Sequence, residues 1–419
     1  MRNRASYRYY LLLEAALSLP PFVVIALFFV KTVHLDPLQL VLVGTVMEVS
    51  IFVFEIPTGV VADLYGRKRS LVIAWLVMGV GTVVVGAVPH FWGALAGWAV
   101  WGFGATFMSG AYEAWITDEV GPEHVGPVFA RGQQVSYAAA IAGMPLFIGL
   151  ASVTSLRTSV LVGGALTVAV ALVSIPLMPE TAFVRPERTE RTRRVEMLAT
   201  AATGARLVRG RPVLLLLLGT AFFAGAYSEG FDRLWEAHFI RDVGLPSFVG
   251  LSDLWWFALL GAGALLVGLL ATGVLVKRIK GASHGAMARI LLGLTSLQIL
   301  TMIGFGLAGS FALAVVAFLA AKLARSLVYP VYMTWLNQSI DNSSVRATVI
   351  SIAGQSDAIG QVAGGPGVGA IGSGFGIRAA LVASGVVLTP ALALYGRALR
   401  RHADLGLTPE LEGQSPAAA

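Results

Sequence analysis

Glu229, Asp232, Arg233 and Glu236 stand at i, i+3, i+4 and i+7 in a stretch that is otherwise almost wholly apolar. On a helix they share one face, and Glu229 with Arg233 suits an ion pair. Three acids against one cation leave surplus carboxylates, and crowding of like charge favours a proton on one of them. A titrating proton site and a structural network that closes a gate are equally open readings. Lys322 and Arg325, three apart in another apolar run, either neutralise facing acids such as Glu48 and Asp357 or contact an anionic group of a ligand. Pairing is the favoured reading, with Arg325 the fixed member because a guanidinium stays charged and binds carboxylates in a bidentate way. Glu14, Glu48, Glu55 and Glu113 are further acids within apolar runs, and an acid at such depth is a functional candidate by default.

Aromatic residues are abundant around the same stretches. Trp235, Trp255, Trp256 and Trp335 fall near the ends of apolar runs and read as interface anchors. Trp101, Tyr112 and Tyr329 are the better candidates for lining a site for bulky, partly apolar ligands. Other chemistries are excluded by type. With no cysteine there is no thiolate nucleophile, disulfide framework or thiolate metal site. Neither G-x-x-x-x-G-K-[ST] nor H-E-x-x-H occurs, and the six histidines are scattered. Gly367 to Gly372 reads G-x-G-x-x-G, but it lies within an apolar run and not after a soluble strand, so it reads as a site of close helix packing. No cofactor or metal is expected.

The elements that position these side chains follow from composition. The 419 residues are 56% hydrophobic and only 13% charged, against about 25% charged in soluble chains. That is a membrane protein with many spans. Apolar runs of about 20 residues predict twelve helices: 8–32, 38–62, 70–88, 91–117, 128–151, 158–178, 212–240, 249–276, 288–308, 311–337, 347–371 and 377–396. The basic start followed by a long apolar run containing Glu14 reads as a retained first helix and not a cleaved signal.

The net charge of +7 reflects orientation more than nucleic-acid binding. Roughly 23 of the 30 Lys and Arg fall on the side of both termini, which places both ends in the cytoplasm. The stretch 181–211, rich in arginine, divides the chain into a six-helix bundle over 1–180 and a second over 212–400, with a tail over 401–419. Helices 3, 6, 9 and 12 carry essentially no interior charge. A charge facing lipid is costly, so the charged helices face protein or water and every third helix faces lipid. Repeated units of three around a polar centre describe a transporter of nested repeats.

Between helices 2 and 3 runs GVVADLYGRKR, Gly59 to Arg69. Gly66 permits a tight turn, and Arg67, Lys68 and Arg69 hold the loop on the cytoplasmic side. Asp63 and Arg67, four apart, can pair with each other or with a neighbouring helix end. The pattern G-x-x-A-D-x-x-G-R-[KR], with Gly59, Ala62, Asp63, Gly66, Arg67 and Lys68 in place, resembles the loop signature of the major facilitator superfamily. With twelve spans and a basic central linker the resemblance covers almost the whole chain. Phe54 to Gly59, and Trp101 to Gly121, are similar to the drug:proton antiporter branch of tetracycline- and macrolide-efflux type. Two features depart from that branch: the fourth helix has no arginine, and Met144 separates Gly143 from Pro145.

The resemblance implies an all-α membrane protein of major facilitator fold, with two six-helix bundles and no enzymatic reaction. It implies alternating-access transport across the cell membrane, with proton-coupled export of hydrophobic or amphiphilic drug-like compounds as the reading and a metabolite or lipid transporter, even an importer, as the alternative. The Gly59–Lys68 motif would act as a gating latch. Glu48, Glu113, Glu229, Asp232 and Asp357 are candidates for proton coupling, and Arg325, Lys322, Arg233, Trp101, Tyr112 and Tyr329 for substrate contact or charge pairing. A small-molecule substrate, protons, the bilayer and a monomeric state are the expected partners and form. A membrane sensor or scaffold would require a soluble appendage or long ordered tail, which these residues do not supply.

Overall fold

A computed structural model describes residues 3–20, 22–183, 206–247, 252–279, 282–340 and 346–404. The described chain is helical almost throughout. Its helices are α1 (Arg4–Ser18), α2 (Phe22–Lys31), α3 (Pro37–Tyr65), α4 (Arg67–Ala87), α5 (Phe91–Met108), α6 (Ala111–Val120), α7 (Val125–Val153) and α8 (Leu156–Leu177). After 184–205, which include most of the expected linker and lie outside the described residues, come α9 (Pro212–His238), α10 (Asp253–Ile279), α11 (His284–Gly306), α12 (Phe311–Gln338), α13 (Arg346–Phe375), α14 (Ile377–Val387) and α15 (Thr389–Asp404).

The starts of the helices follow local chemistry. Asp36 and Gln39 form a reciprocal capping box ahead of Pro37, at 3.0 and 3.1 Å. Ser155, Ser283 and Ser310 cap α8, α11 and α12 by accepting from the third residue of each helix. Among the described residues, ten helices are long and apolar enough to cross a membrane. Two expected spans fall outside that set for visible reasons. The fourth is divided: α5 ends at Met108, and the left-handed Gly110 (φ 69°) starts α6. The eleventh, α13, carries Gln355, Asp357 and Gln361 among its glycines and is less apolar than its length requires. The first expected helix is likewise two, broken at Leu19–Pro20. Proline removes a backbone donor and breaks or kinks a helix. The seventh is prolonged by a π-helical turn, Phe239–Val243.

The chain forms two compact units. The first comprises Met1–Val195, Arg233–Leu265 and Gly369–Ile377; the second comprises Glu196–Asp232, Leu266–Val368 and Arg378–Ala419. In the first, Tyr10, Leu13, Leu71, Trp75, Trp115 and Ile116 are part of one buried core. In the second, the rings of Phe231, Phe305 and Phe318 meet at 5.9–6.1 Å. There α9 and α13 approach closely through glycine: a Cβ at Gly225 would overlap the carbonyl of Asp357, and one at Gly360 the carbonyl of Phe222. That approach sets Asp357 against the helix that carries Asp232.

Candidate functional site

The second unit concentrates charge on α9, α12 and α13. Arg325 Nη1 donates to Asp232 Oδ1 at 2.7 Å, and Lys322 Nζ lies 3.7 Å from the same oxygen. Lys322 also stands over the Phe231 ring at 4.6 Å and faces Phe318 at 5.7 Å, a cation–π arrangement that holds the ammonium in an apolar wall. Asp357 acts electrostatically on Arg325 and accepts from Gln361 Nε2 at 2.8 Å. Tyr227 is fully buried within the Arg325 field. One carboxylate thus serves two cations, with a second carboxylate near. The α12 cations pair with an acid, and that acid is Asp232, where the sequence suggested Glu48 or Asp357. The side chains of Asp232, Arg325 and Lys322 remain 33%, 36% and 27% exposed.

Glu229 and Glu236 are buried, and both, like Arg233 and Glu48, engage partners. Tyr329 is 68% exposed. Trp235 and Trp335, expected as interface anchors, are buried: Trp335 donates to His284 Nδ1 at 2.8 Å and stacks on Tyr395.

In the first unit the basic loop is built tightly. Gly66 adopts φ 108°, a conformation open to glycine, and joins α3 directly to α4. Gly59 has open space at its Cβ position. The side chain of Asp63 lies outside the described residues. Arg67 Nε stands 3.9 Å from Asp118 Oδ2 at the end of α6, so the arginine reaches a neighbouring helix end. Lys68 contributes its backbone N–H, which donates to Glu180 Oε1 at 2.8 Å. Glu180 thereby caps α4 at an N-terminus that favours negative charge.

Beside it, Glu119 gathers donors from two segments, residues 3–6 and 181–182. It accepts from Asn3 Nδ2 (2.9 Å), Ser6 Oγ (2.7 Å), Thr181 Oγ1 (2.9 Å) and the backbone N–H groups of Thr181 and Ala182. Burial pushes this carboxyl up, but the donors outweigh it and hold Glu119 below the ordinary carboxylate value. Asp118 goes the other way. Burial raises it and Arg67 only partly offsets that.

At the opposite end of the unit, Lys31 Nζ pairs with Asp253 Oδ2 at 2.9 Å, and Arg241 Nη2 donates to the Leu35 carbonyl at 2.7 Å. Ser373 Oγ donates to Asp36 Oδ1 at 2.9 Å. Asp253 is the first residue of α10, with its side chain 59% exposed. Trp101 packs on Trp98 and Phe22, with centroids 5.3 and 5.7 Å apart. Tyr112 and Glu113 open α6; Glu113 is exposed, and Tyr112 lies between Tyr10 and Trp115. Sequence reasoning did not mark Glu119, Asp118, Glu180 or Gln361 as site residues. The first three carry no periodic signal because they sit where helices end. Glu14 was visible as an isolated charge, but its tyrosine neighbours were not.

The same architecture occurs in proteins of known structure. The nucleoside transporter NupG superposes with a TM-score of 0.75 at 10% identity, covering 94% of this chain and 98% of that one. A bacterial homologue of the human lysosomal transporter Spinster, inward-facing and unoccupied, gives a TM-score of 0.75 at 17% identity, covering 99% and 100%. These likenesses show the fold. In sequence, an uncharacterized MFS-type transporter of Bacillus subtilis (strain 168), YxaM, is 23% identical over 369 residues, 86% of this chain and 87% of the relative. The family model described as Major Facilitator Superfamily matches residues 10–312. A chain of apolar helices with this match is a multi-pass protein of the cell membrane that handles a small-molecule substrate, and it belongs to the Major Facilitator Superfamily.

Proposed function

We propose that this protein is a secondary active transporter that works by alternating access and exports hydrophobic or amphiphilic compounds in exchange for protons. Twelve spans in two bundles, 1–180 and 212–400, with both termini, the 181–211 linker and the 401–419 tail in the cytoplasm, complete the reading, and the monomer is the working unit. The observation that carries it is the Asp232 carboxylate shared by Arg325 and Lys322 inside helices of membrane length, with Asp357 in the same field. Proton uptake by Asp232 would release two cations at once, and the freed charge would have to find Asp357 or a substrate. A local proton event thereby biases helix packing, which is how an ion gradient is made to drive a conformational cycle.

Glu48, Glu113 and Glu229 are the other acids proposed for coupling. Arg233, Trp101, Tyr112 and Tyr329 are proposed to tune charge or meet substrate. Gly59, Asp63, Gly66, Arg67 and Lys68 form the cytoplasmic latch. Arg67 at the Asp118 helix end, with Glu180 on the Lys68 amide, supports that role.

The second reading is a metabolite or lipid transporter, and two cations around one carboxylate favour it where the substrate bears an anionic group. A ΔpH imposed on proteoliposomes tests the proposal. Export of an amphiphile should follow the gradient, and neutralising Asp232 or Asp357 should uncouple it. Transport that keeps its full pH drive after each of the five acids is neutralised in turn would refute proton coupling through them.

A further inference from the structure

Glu14 is an acid on α1 that the coupling cluster does not use. It is half-buried, with the hydroxyls of Tyr10 and Tyr112 within reach and Glu113 near enough to act on it electrostatically. The Tyr10 and Tyr112 rings lie 5.5 Å apart, and Tyr112 continues the aromatic wall to Trp115 and Trp75, each at 6.2 Å. Tyr10 is held from behind by α7: a Cβ at Gly132 would overlap its hydroxyl, and Ser18 Oγ bonds Ser136 Oγ at 2.7 Å between the same two helices. The Tyr112 oxygen is enclosed and completes no hydrogen bond of good geometry. An enclosed hydroxyl left so is a polar group that a bound ligand can satisfy.

We infer that Glu14, Tyr10 and Tyr112 form a binding site for the head of an amphiphilic organic cation. The carboxylate supplies the counter-charge, and the aromatic faces supply cation–π attraction that requires no donor on the ligand. A compact cation with apolar substituents satisfies both, whereas an anion meets Glu14 and Glu113 as like charges. The inference rests on the amphiphile reading above and adds the sign of the charge.

The test is equilibrium dialysis of labelled tetraphenylphosphonium against the purified full-length protein, with tetraphenylborate as the counter-probe of like shape and opposite charge. Saturable binding of the cation alone is expected. Glu14→Gln should weaken it about tenfold or more, on the scale of one lost charge contact, and Glu14→Asp should restore part of it. Gly132→Ala, which changes no charge but displaces Tyr10, should weaken it several-fold and serves as the test if Glu14→Gln fails to fold. The inference is overturned if the wild type does not bind the cation saturably, if tetraphenylborate binds equally well, or if a folded Glu14→Gln or Gly132→Ala protein binds as the wild type does. Proteoliposomes that bind the cation through Glu14 but show no pH-driven transport would overturn the transport reading and leave this site standing.

Discussion

Glu119→Gln removes one charge from a position where five donors converge. Oε1 takes the N–H groups of Thr181 and Ala182; Oε2 takes Asn3 Nδ2, Ser6 Oγ and Thr181 Oγ1. Glu119 is 2% exposed, so water replaces few of these bonds. The least costly glutamine rotamer keeps its carbonyl on the two backbone amides and turns its NH2 toward Asn3 and the two hydroxyls, which can rotate to accept. The Asn3 bond is then lost and the amide bonds lose their charge assistance, a total of about 2–3 kcal/mol on the usual scale of neutral and charged hydrogen bonds. The assay is hydrogen exchange at Thr181 and Ala182 by mass spectrometry, which reads the opening of this clasp directly. A loss of 2 kcal/mol corresponds to exchange roughly 30-fold faster. Because the folded Glu119 sits below its ordinary value, it contributes stability above that value and loses it as pH falls through its folded pKa. The difference between wild type and variant should hold from neutral pH to about 5 and close below that. Exchange within about threefold of the wild type at neutral pH would refute the reasoning, as would a difference that widened on acidification.

Asp232→Asn should destabilise the protein by about 2 kcal/mol, between the values of an exposed and a buried pair. Adding Arg325→Gln should recover part of that loss, with the coupling read from a double-mutant cycle of unfolding in detergent. Asp253→Asn, at a pair whose carboxylate is exposed, should cost less than about 1 kcal/mol in the same measurement, with the cost falling further in high salt. Gly225→Ala should destabilise strongly, because its Cβ has no room against Asp357. Gly59→Ala should leave unfolding unchanged or improve it by about 0.5–1 kcal/mol, so any transport defect in Gly59→Ala would be a defect of the motif.

Helix positions were readable because apolar length is a local property, whereas the exact starts are set by caps that apolar runs do not show. Asp36 with Gln39, and serines 155, 283 and 310, are the caps the structure uses, and the helices they start begin up to four residues before the apolar runs. The breaks at Pro20 and Gly110 were not readable, since an apolar run remains apolar across a bend. The i, i+3 spacing of Lys322 and Arg325 placed them on one face, but their acid partner stands 93 residues from Arg325, and no local pattern distinguishes Asp232 from Glu48. Trp335 shows the same limit: a tryptophan near a span end reads as an interface anchor until His284, 51 residues away, is found to accept from it. Glu119 and Glu180 carried least signal of all. Their partners include backbone amides, and a sequence does not show which amides are left over when helices end.

Proton flux is the most direct test of the central claim. Purified protein in proteoliposomes loaded with a pH-sensitive dye should show proton movement opposite to the transported amphiphile when the compound is added without an imposed gradient, and Asp232→Asn should abolish it while substrate still binds. Substrate movement with no accompanying proton movement in the wild type, or unchanged proton movement in Asp232→Asn, would contradict the account.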